Sequence, residues 1–335
     1  MKILAFESSC DETAVAVVED GRKILSDAIA SQADLHALYG GVVPEIASRK
    51  HIEAIAALTD QALKEAGVEK KDIDAVAATY APGLIGAVLV GLNFAKSAAY
   101  ALNVPLIPVH HIRGHIAANY LAFPELEPPF LALCMSGGNT LIVDVRDYTD
   151  FALLGATRDD AAGECFDKAA RVLGLPYPGG PVIDRLAKEG DPKRFKFAKP
   201  SVDGFNYSFS GLKTSFLYFL RDRMHEDPRF IDDNKADLCA SLQATIIDIL
   251  LAKLTKAAKQ YDIRDIAIAG GVSANSGLRD AIAEEGRKRG WRTFLPEFRF
   301  TTDNAAMIAV TGYFKYQRGE FAPMDISPVA RISRM

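Results

Sequence analysis

Three of the six histidines in this chain fall in one short stretch, Val109-His110-His111-Ile112-Arg113-Gly114-His115. His111 and His115 are four apart, so a helix would place both imidazoles on one face, about one turn apart. That spacing suits two ligands of one divalent metal. His110 would point to another side and is the weaker candidate, so a third ligand must come from elsewhere. Histidines at this spacing also occur on helices where they are merely solvated or packed. The pattern is not that of a metalloprotease, in which His-Glu-x-x-His supplies a glutamate as general base. Here Ile112 follows His111 and no glutamate lies between the two histidines.

Further polar groups stand at turns. Residues 2–6 read as a buried strand, and the loop Glu7-Ser8-Ser9-Cys10-Asp11-Glu12-Thr13 follows it. Strands are expected over 14–18 and 23–31, with a hairpin turn at Glu19-Asp20-Gly21. A strand, polar turn and strand can hold a phosphate on hydroxyls and backbone N–H groups, although an ordinary hairpin has the same composition. Pro44 opens a helix to about Ala66. A strand over 74–79, a helix over 84–102 and a strand over 105–109 then deliver the His111/His115 helix.

After Pro124–Pro129 the opening pattern returns. Strands are expected over 130–135, 141–145 and 151–156, with Ser136-Gly137-Gly138-Asn139-Thr140 as the polar turn. Its two glycines allow a phosphate close to the backbone. Two such units facing each other would make a nucleotide-phosphate cleft. Later come helices over 161–173 and 235–260 and a strand over 263–269. That strand runs into Gly270-Gly271-Val272-Ser273-Ala274-Asn275, beside the start of a helix, a place that suits a phosphate or a flat ligand. Asp303, before a last helix ending near Gln317, reads as an N-cap and as the best carboxylate for a third metal ligand. The implied division is a first domain over 1–124, with 318–335 as a candidate return to it, and a second over 125–317.

A chain of 335 residues suits two domains. Its composition, 49% hydrophobic and 24% charged, is that of a soluble globular protein. The formal net charge of −4 excludes a generally basic nucleic-acid coat but not a local basic face. Lys188, Lys193, Arg194, Lys196 and Lys199, followed by the aromatic segment Phe205 to Phe209, form the candidate RNA-facing patch. Four scattered cysteines with no CxxC suit a reducing cytoplasm. No basic n-region opens the chain. The apolar run 84–102 is interrupted by Gly86, Gly91, Asn93 and Lys96, and reads as a buried helix rather than a membrane span.

In order, the motifs ESSCDET (7–13), GGVVPEIASR (40–49), PGLIG (82–86), HHIRGH (110–115), SGGNT (136–140), DDAAGE (159–164), FSGLKT (209–214), GGVSAN (270–275) and TDN (302–304) resemble the TsaD family, in its bacterial style. The family comprises the tRNA threonylcarbamoyltransferases, formerly called glycoproteases. The resemblance runs almost end to end. It implies the α/β actin/sugar-kinase/heat-shock-ATPase fold, two similar halves of βββαβα type around a cleft. It also implies transfer of a threonylcarbamoyl group from threonylcarbamoyl-AMP to N6 of adenosine 37, in tRNAs reading codons that begin with A, with release of AMP.

Carried over residue by residue, the resemblance puts one divalent metal, iron(II) by preference and zinc(II) as the alternative, on His111, His115 and Asp303. Substrate contacts map onto Cys134, Met135, Ser136, Gly137, Gly138, Asp167, Gly180, Asp184 and Asn275. Implied partners are tRNA, a shorter paralogue of the same fold and a small P-loop ATPase. Asp11 is the expected proton acceptor, with Glu12 in support. Ser8 stands where Thr is usual, Ala81 replaces a frequent Gly, Asn139 stands where His is frequent, and the tail from Ser327 to Met335 lacks the family's Arg-Pro-Arg-Trp ending. The rival readings are a small-molecule kinase of the same fold, which needs no His/His/Asp metal, and a metalloprotease, which lacks its base.

Overall fold

The computed structural model describes residues 1–331. In chain order its strands and helices are β1 (Lys2–Glu7), β2 (Glu12–Glu19), β3 (Lys23–Ser31), α1 (Ala33–Ala37), α2 (Pro44–Ala66), β4 (Ala75–Ala81), α3 (Ile85–Leu102), β5 (Leu106–His110), α4 (His111–Ala117) and α5 (Asn119–Ala122). The pattern then restarts with β6 (Phe130–Met135), β7 (Thr140–Val145) and β8 (Phe151–Ala156). There follow α6 (Ala162–Val172), α7 (Gly179–Ala187), α8 (Ser210–Glu226), α9 (Phe230–Asp233), α10 (Lys235–Tyr261), β9 (Asp265–Ala269), α11 (Ser276–Arg289), β10 (Arg292–Phe294) and α12 (Ala306–Gln317).

The chain divides into two compact units. The first holds Met1–Pro128, Arg146–Phe151 and the chain from Pro296 onward; the second holds Pro129–Val145 and Ala152–Leu295. The return to the first unit therefore comes at Pro296, not at 318 as the sequence suggested. The reason is α12: Ala306, Met307, Ile308 and Ala309 are buried against Ile3, Ala5, Ala77 and Ile107 of the first sheet.

In the first unit the sheet order is β3-β2-β1-β4-β5, with β1 antiparallel to β2 and parallel to β4. Alternation along the strands divides the faces. Ile3 and Ala5 meet α12, whereas Leu4 and Phe6 meet Ile55 of α2 and Leu92 of α3. The β2–β3 hairpin turns through Asp20 (φ 51°) and Gly21 (φ 64°). A Cβ on Gly21 would lie 2.3 Å from the Tyr313 ring, so the turn needs glycine for space as well as for its backbone. The described part of the tail docks beside β4, where Val329 N–H donates to the Tyr80 carbonyl at 2.8 Å. Residues 332–335 of the divergent ending lie outside the described residues.

The second unit repeats the plan. Its order β10-β9-β6-β7-β8 is the first sheet's order, with β6 in the place of β1 and β9 in the place of β4. The expected internal repeat is thus present in the topology.

Helix α8 covers a stretch with no helix expected from its sequence; Leu212, Phe216 and Leu220, four apart, bury one of its faces. Phe205, Tyr207 and Phe209 are core residues, 8%, 0% and 0% exposed, so they are not a stacking surface for RNA. Helix α3 is not wholly buried either. Ala87, Gly91, Leu92, Ala95 and Ala99 face inward, while Ile85, Leu89 and Tyr100 are exposed. Both α3 and α10 are long and apolar enough to cross a membrane by length and composition; α10 is mostly buried within its own unit.

Candidate functional site

The histidine pair forms as the spacing predicts. Strand β5 ends at His110, and α4 starts directly with His111. The two rings meet edge to face, with centroids 4.6 Å apart. Gly114, between them, packs against α12: a Cβ there would come within 2.9 Å of Ile308 Cδ1. This close approach brings the chain just before α12 to the histidines. Asp303 Oδ1 lies 3.1 Å from His115 Nε2 and 3.6 Å from His111 Nε2. One ligand atom from each of the three residues lies within 4.8 Å of the others.

Asp303 is free for this role because it is not the cap. Asn304 caps α12 instead, its Oδ1 accepting the Met307 N–H at 2.8 Å. His110 points elsewhere, as expected, and is buried outside the cluster.

Whether these residues fit a metal is tested by what they bond. His115 is 1% exposed; its Nε2 faces the Asp303 carboxylate at 3.1 Å without hydrogen-bond geometry, and its Nδ1 has no hydrogen-bond partner among the described residues. A buried polar atom without a partner is costly. The Nε2 atoms of His111 and His115, aimed with the Asp303 carboxylate at one point, fit a cation there. His111 is held from behind. Its Nδ1 lies 3.0 Å from Glu7 Oε2 and 3.1 Å from Ser9 Oγ, so Nδ1 carries the proton and Nε2 faces the cluster. A carboxylate behind a ligating histidine fixes its tautomer and orientation and raises its basicity. Glu7 itself is buried and accepts from Ser9 N–H at 2.6 Å and from the Thr79 hydroxyl.

The electrostatics are those of a cation site. Burial alone would push the Glu7 and Asp303 carboxyls up and His111 down. The opposite charges prevail: Glu7 and Asp303 are held below the carboxylate range by the histidines, and His111 rises to about 9. Glu12 moves the other way, to about 9, because burial and the charges of Asp303 and Asp11 oppose its ionisation. It accepts from Ser31 Oγ at 3.1 Å. Asp11 and Glu12 thus form a carboxyl pair beside the histidine cluster, in the first unit.

The remaining expected site residues lie in the second unit. Ser136, Gly137 and Gly138 form an open turn closed by Ser136 N–H donating to the Asn139 carbonyl at 2.8 Å. No atom stands within 4 Å of where a Cβ on Gly137, Gly138 or Gly271 would be. Gly163 at the start of α6 must be small, since a Cβ would lie 2.7 Å from the Ser136 carbonyl oxygen.

Cys134 and Met135 are fully buried, Cys134 paired on both sides with β7 and β9, so they support the turn rather than present a surface of their own. Asp167 Oδ1 accepts the Gly179 N–H at 2.8 Å, fixing the start of α7 at Gly179 and Gly180. Asp184 accepts from Ser276 N–H at 3.0 Å and Ser276 Oγ at 2.9 Å. Asn275 caps α11 through Leu278 N–H and donates to Gln243 Oε1. Asp167, Asp184 and Asn275 therefore serve first to shape helix starts. Sequence reasoning passed over Glu7, Thr79 and His51. Glu7 and His111 are 104 residues apart, so no local spacing could pair them.

A profile of tRNA N6-adenosine threonylcarbamoyltransferase, TsaD, matches residues 23–310. The chain belongs to the TsaD family. The threonylcarbamoyltransferase of Porphyromonas gingivalis is 54% identical, the match covering 99% of this chain and 98% of the relative. That of Phocaeicola vulgatus is 53% identical with the same coverage. Among solved structures, component A of Acidaminococcus fermentans (R)-2-hydroxyglutaryl-CoA dehydratase matches 95% of this chain and 99% of its own, at 15% identity and a TM-score of 0.55. The fold is the actin/sugar-kinase/heat-shock-ATPase fold. As a TsaD member the chain is a transferase that threonylcarbamoylates tRNA. The kinase and metalloprotease alternatives give way to that membership. The family also implies a divalent metal, and His111, His115 and Asp303 are a group able to hold it.

Proposed function

We propose that this TsaD protein moves the threonylcarbamoyl group of threonylcarbamoyl-AMP to N6 of adenosine 37, in tRNAs whose codons begin with A. The observation that carries the reading is the convergence of His111, His115 and Asp303, with Glu7 behind His111 and the Asp11–Glu12 pair alongside.

Adenine N6 is a poor nucleophile because its lone pair is delocalised into the ring. The mixed anhydride supplies an activated carbonyl carbon. N6 attacks that carbon, the bond from carbon to the phosphate oxygen of AMP breaks, and the N6 proton must go to a base. Asp11 takes that proton, and the neighbouring Glu12 supports it. A divalent metal, iron(II) or zinc(II), held by His111, His115 and Asp303 would supply Lewis-acid polarisation of the donor. Ser136 to Gly138, Gly180 and Gly271 offer open backbone to the adenylate, with the backbone of Cys134 and Met135, and Asp167, Asp184 and Asn275, holding those loops. The protein works in the cytoplasm with a shorter paralogue and a P-loop ATPase.

The test is mass spectrometry of tRNA nucleosides after incubation with threonylcarbamoyl-AMP, with and without those partners. Threonylcarbamoyladenosine at position 37 only of tRNAs for A-starting codons is expected. Modification of other tRNAs to the same extent refutes the substrate assignment. Asp11→Asn should keep adenylate binding and lose single-turnover transfer by about a hundredfold; unchanged transfer removes Asp11 from the mechanism.

A further inference from the structure

The β1–β2 ladder ends at the pair Glu7 and Ala14, and β2 itself begins at Glu12, which pairs with Ser31 of β3, so residues 8–11 leave regular pairing just where Asp11 occurs. A loop of this kind needs other partners to hold a carboxylate to within a fraction of an ångström. Some are backbone groups. The Ser9 carbonyl accepts the Leu84 N–H at 2.8 Å, and the Asp11 carbonyl accepts the Gln32 N–H at 3.0 Å. Between them a side chain takes over. His51, wholly buried on α2, lies with Nε2 3.0 Å from the Cys10 carbonyl oxygen and Nδ1 2.8 Å from Thr13 Oγ1.

These partners fix the ring's state. A carbonyl only accepts, so Nε2 carries the proton and donates to Cys10, and Nδ1 accepts from the Thr13 hydroxyl. That is the neutral imidazole. Burial favours it, pulling the His51 pKa below its ordinary value. The two residues spanned by the clamp are Asp11 and Glu12.

We propose that His51 is a positioning residue for transfer: its imidazole bridges Cys10 and Thr13 and so sets the Asp11 carboxylate at the distance proton removal requires. The proposal rests on the reading of Asp11 as proton acceptor. It adds that the geometry of that acceptor is set by a 23-residue helix that contributes no ligand to the metal cluster. A misplacement of about 1 Å in a reacting group costs up to about a hundredfold in rate, so the clamp acts on the chemical step and not on donor or metal binding.

The experiment is single-turnover transfer by the full chain with its partners, using threonylcarbamoyl-AMP and tRNA, alongside metal content and donor affinity. His51→Leu removes both hydrogen bonds and should lower the transfer rate about ten- to a hundredfold, with donor affinity and metal content unchanged. His51→Gln keeps a donor near the Nε2 position and should recover most of the rate. In an Asp11→Asn background, His51→Leu should have little further effect, because residues acting as one unit are non-additive. Rate losses that multiply in the double variant overturn the proposal, as does a full rate in His51→Leu. If Asp11→Asn alone is fully active, the acceptor reading fails instead, and the two failures stay distinct. Should His51→Leu not fold, Thr13→Val deletes the hydroxyl that holds the ring and is read through the same cycle: loss that is absent in the Asp11→Asn background supports the clamp, and multiplicative loss or none overturns it.

Discussion

Replacing Glu7 with glutamine tests the histidine cluster from behind. The change keeps size and removes the charge that fixes His111 at 3.0 Å. Partners of this kind are worth about ten- to a hundredfold in metal affinity, or about 1.4–2.7 kcal/mol. A second effect opposes it. In metal-free protein the charges of Glu7 and Asp303 lift His111 to about 9, so at neutral pH a metal must displace a proton. That competition weakens apparent affinity by roughly tenfold for each pH unit below about 9, roughly a hundredfold at pH 7. Glu7→Gln lowers the His111 pKa and relieves part of this competition.

The two affinities should therefore lie close together at pH 7 and diverge as pH rises, with the variant about ten- to a hundredfold weaker near pH 9. Chelator competition from pH 6.5 to 9, with proton release measured by calorimetry in buffers of different ionisation enthalpy, reads both parts. Wild type should release more protons at pH 7.5 than the variant. Equal affinity for the two proteins at pH 9, or identical proton release, refutes the assignment of Glu7 as the orienting carboxylate.

Three further outcomes are expected. The double variant His111→Ala, His115→Ala should lose stoichiometric metal by elemental analysis and keep its circular dichroism, and retention of metal would remove the pair as ligands. Charge reversal at exposed Lys193 and Arg194 should weaken all substrate tRNAs about equally and flatten the salt dependence of binding, while an unchanged salt slope places the RNA surface elsewhere. Asp27, whose Oδ1 accepts the Ala305 N–H, is pushed by burial from 3.8 to about 6. Between those values the native state binds more protons than the unfolded one, so this group makes stability fall as pH rises. In metal-free protein, Asp27→Asn should gain stability relative to wild type by up to about 3 kcal/mol between pH 4 and pH 7; a pH-independent difference in denaturant midpoints refutes this.

The sequence by itself determined the pieces whose signal is local. Four-residue spacing put His111 and His115 on one helix face, and Pro44 marked the first turn of α2. Repeated strand–turn–strand patterns announced the two sheets, and the ordered motifs fixed the family. Tertiary structure decided what depends on distant chain segments meeting. Asp303 became a partner of the histidines because Gly114 lets α4 approach α12 and Asn304 takes over the cap. The same folding sent α12 back to the first unit, where its apolar face covers β1. It also turned the aromatics at 205–209 into core, since a ring's burial depends on what packs over it and not on its neighbours in sequence. Glu7 against His111 and His51 against Cys10 and Thr13 are contacts across 104, 41 and 38 residues. Periodicity reports only which face of one element is apolar. It carries no record of which side chain from another element reaches that face, and so the groups that orient the site became visible only once the chain was folded.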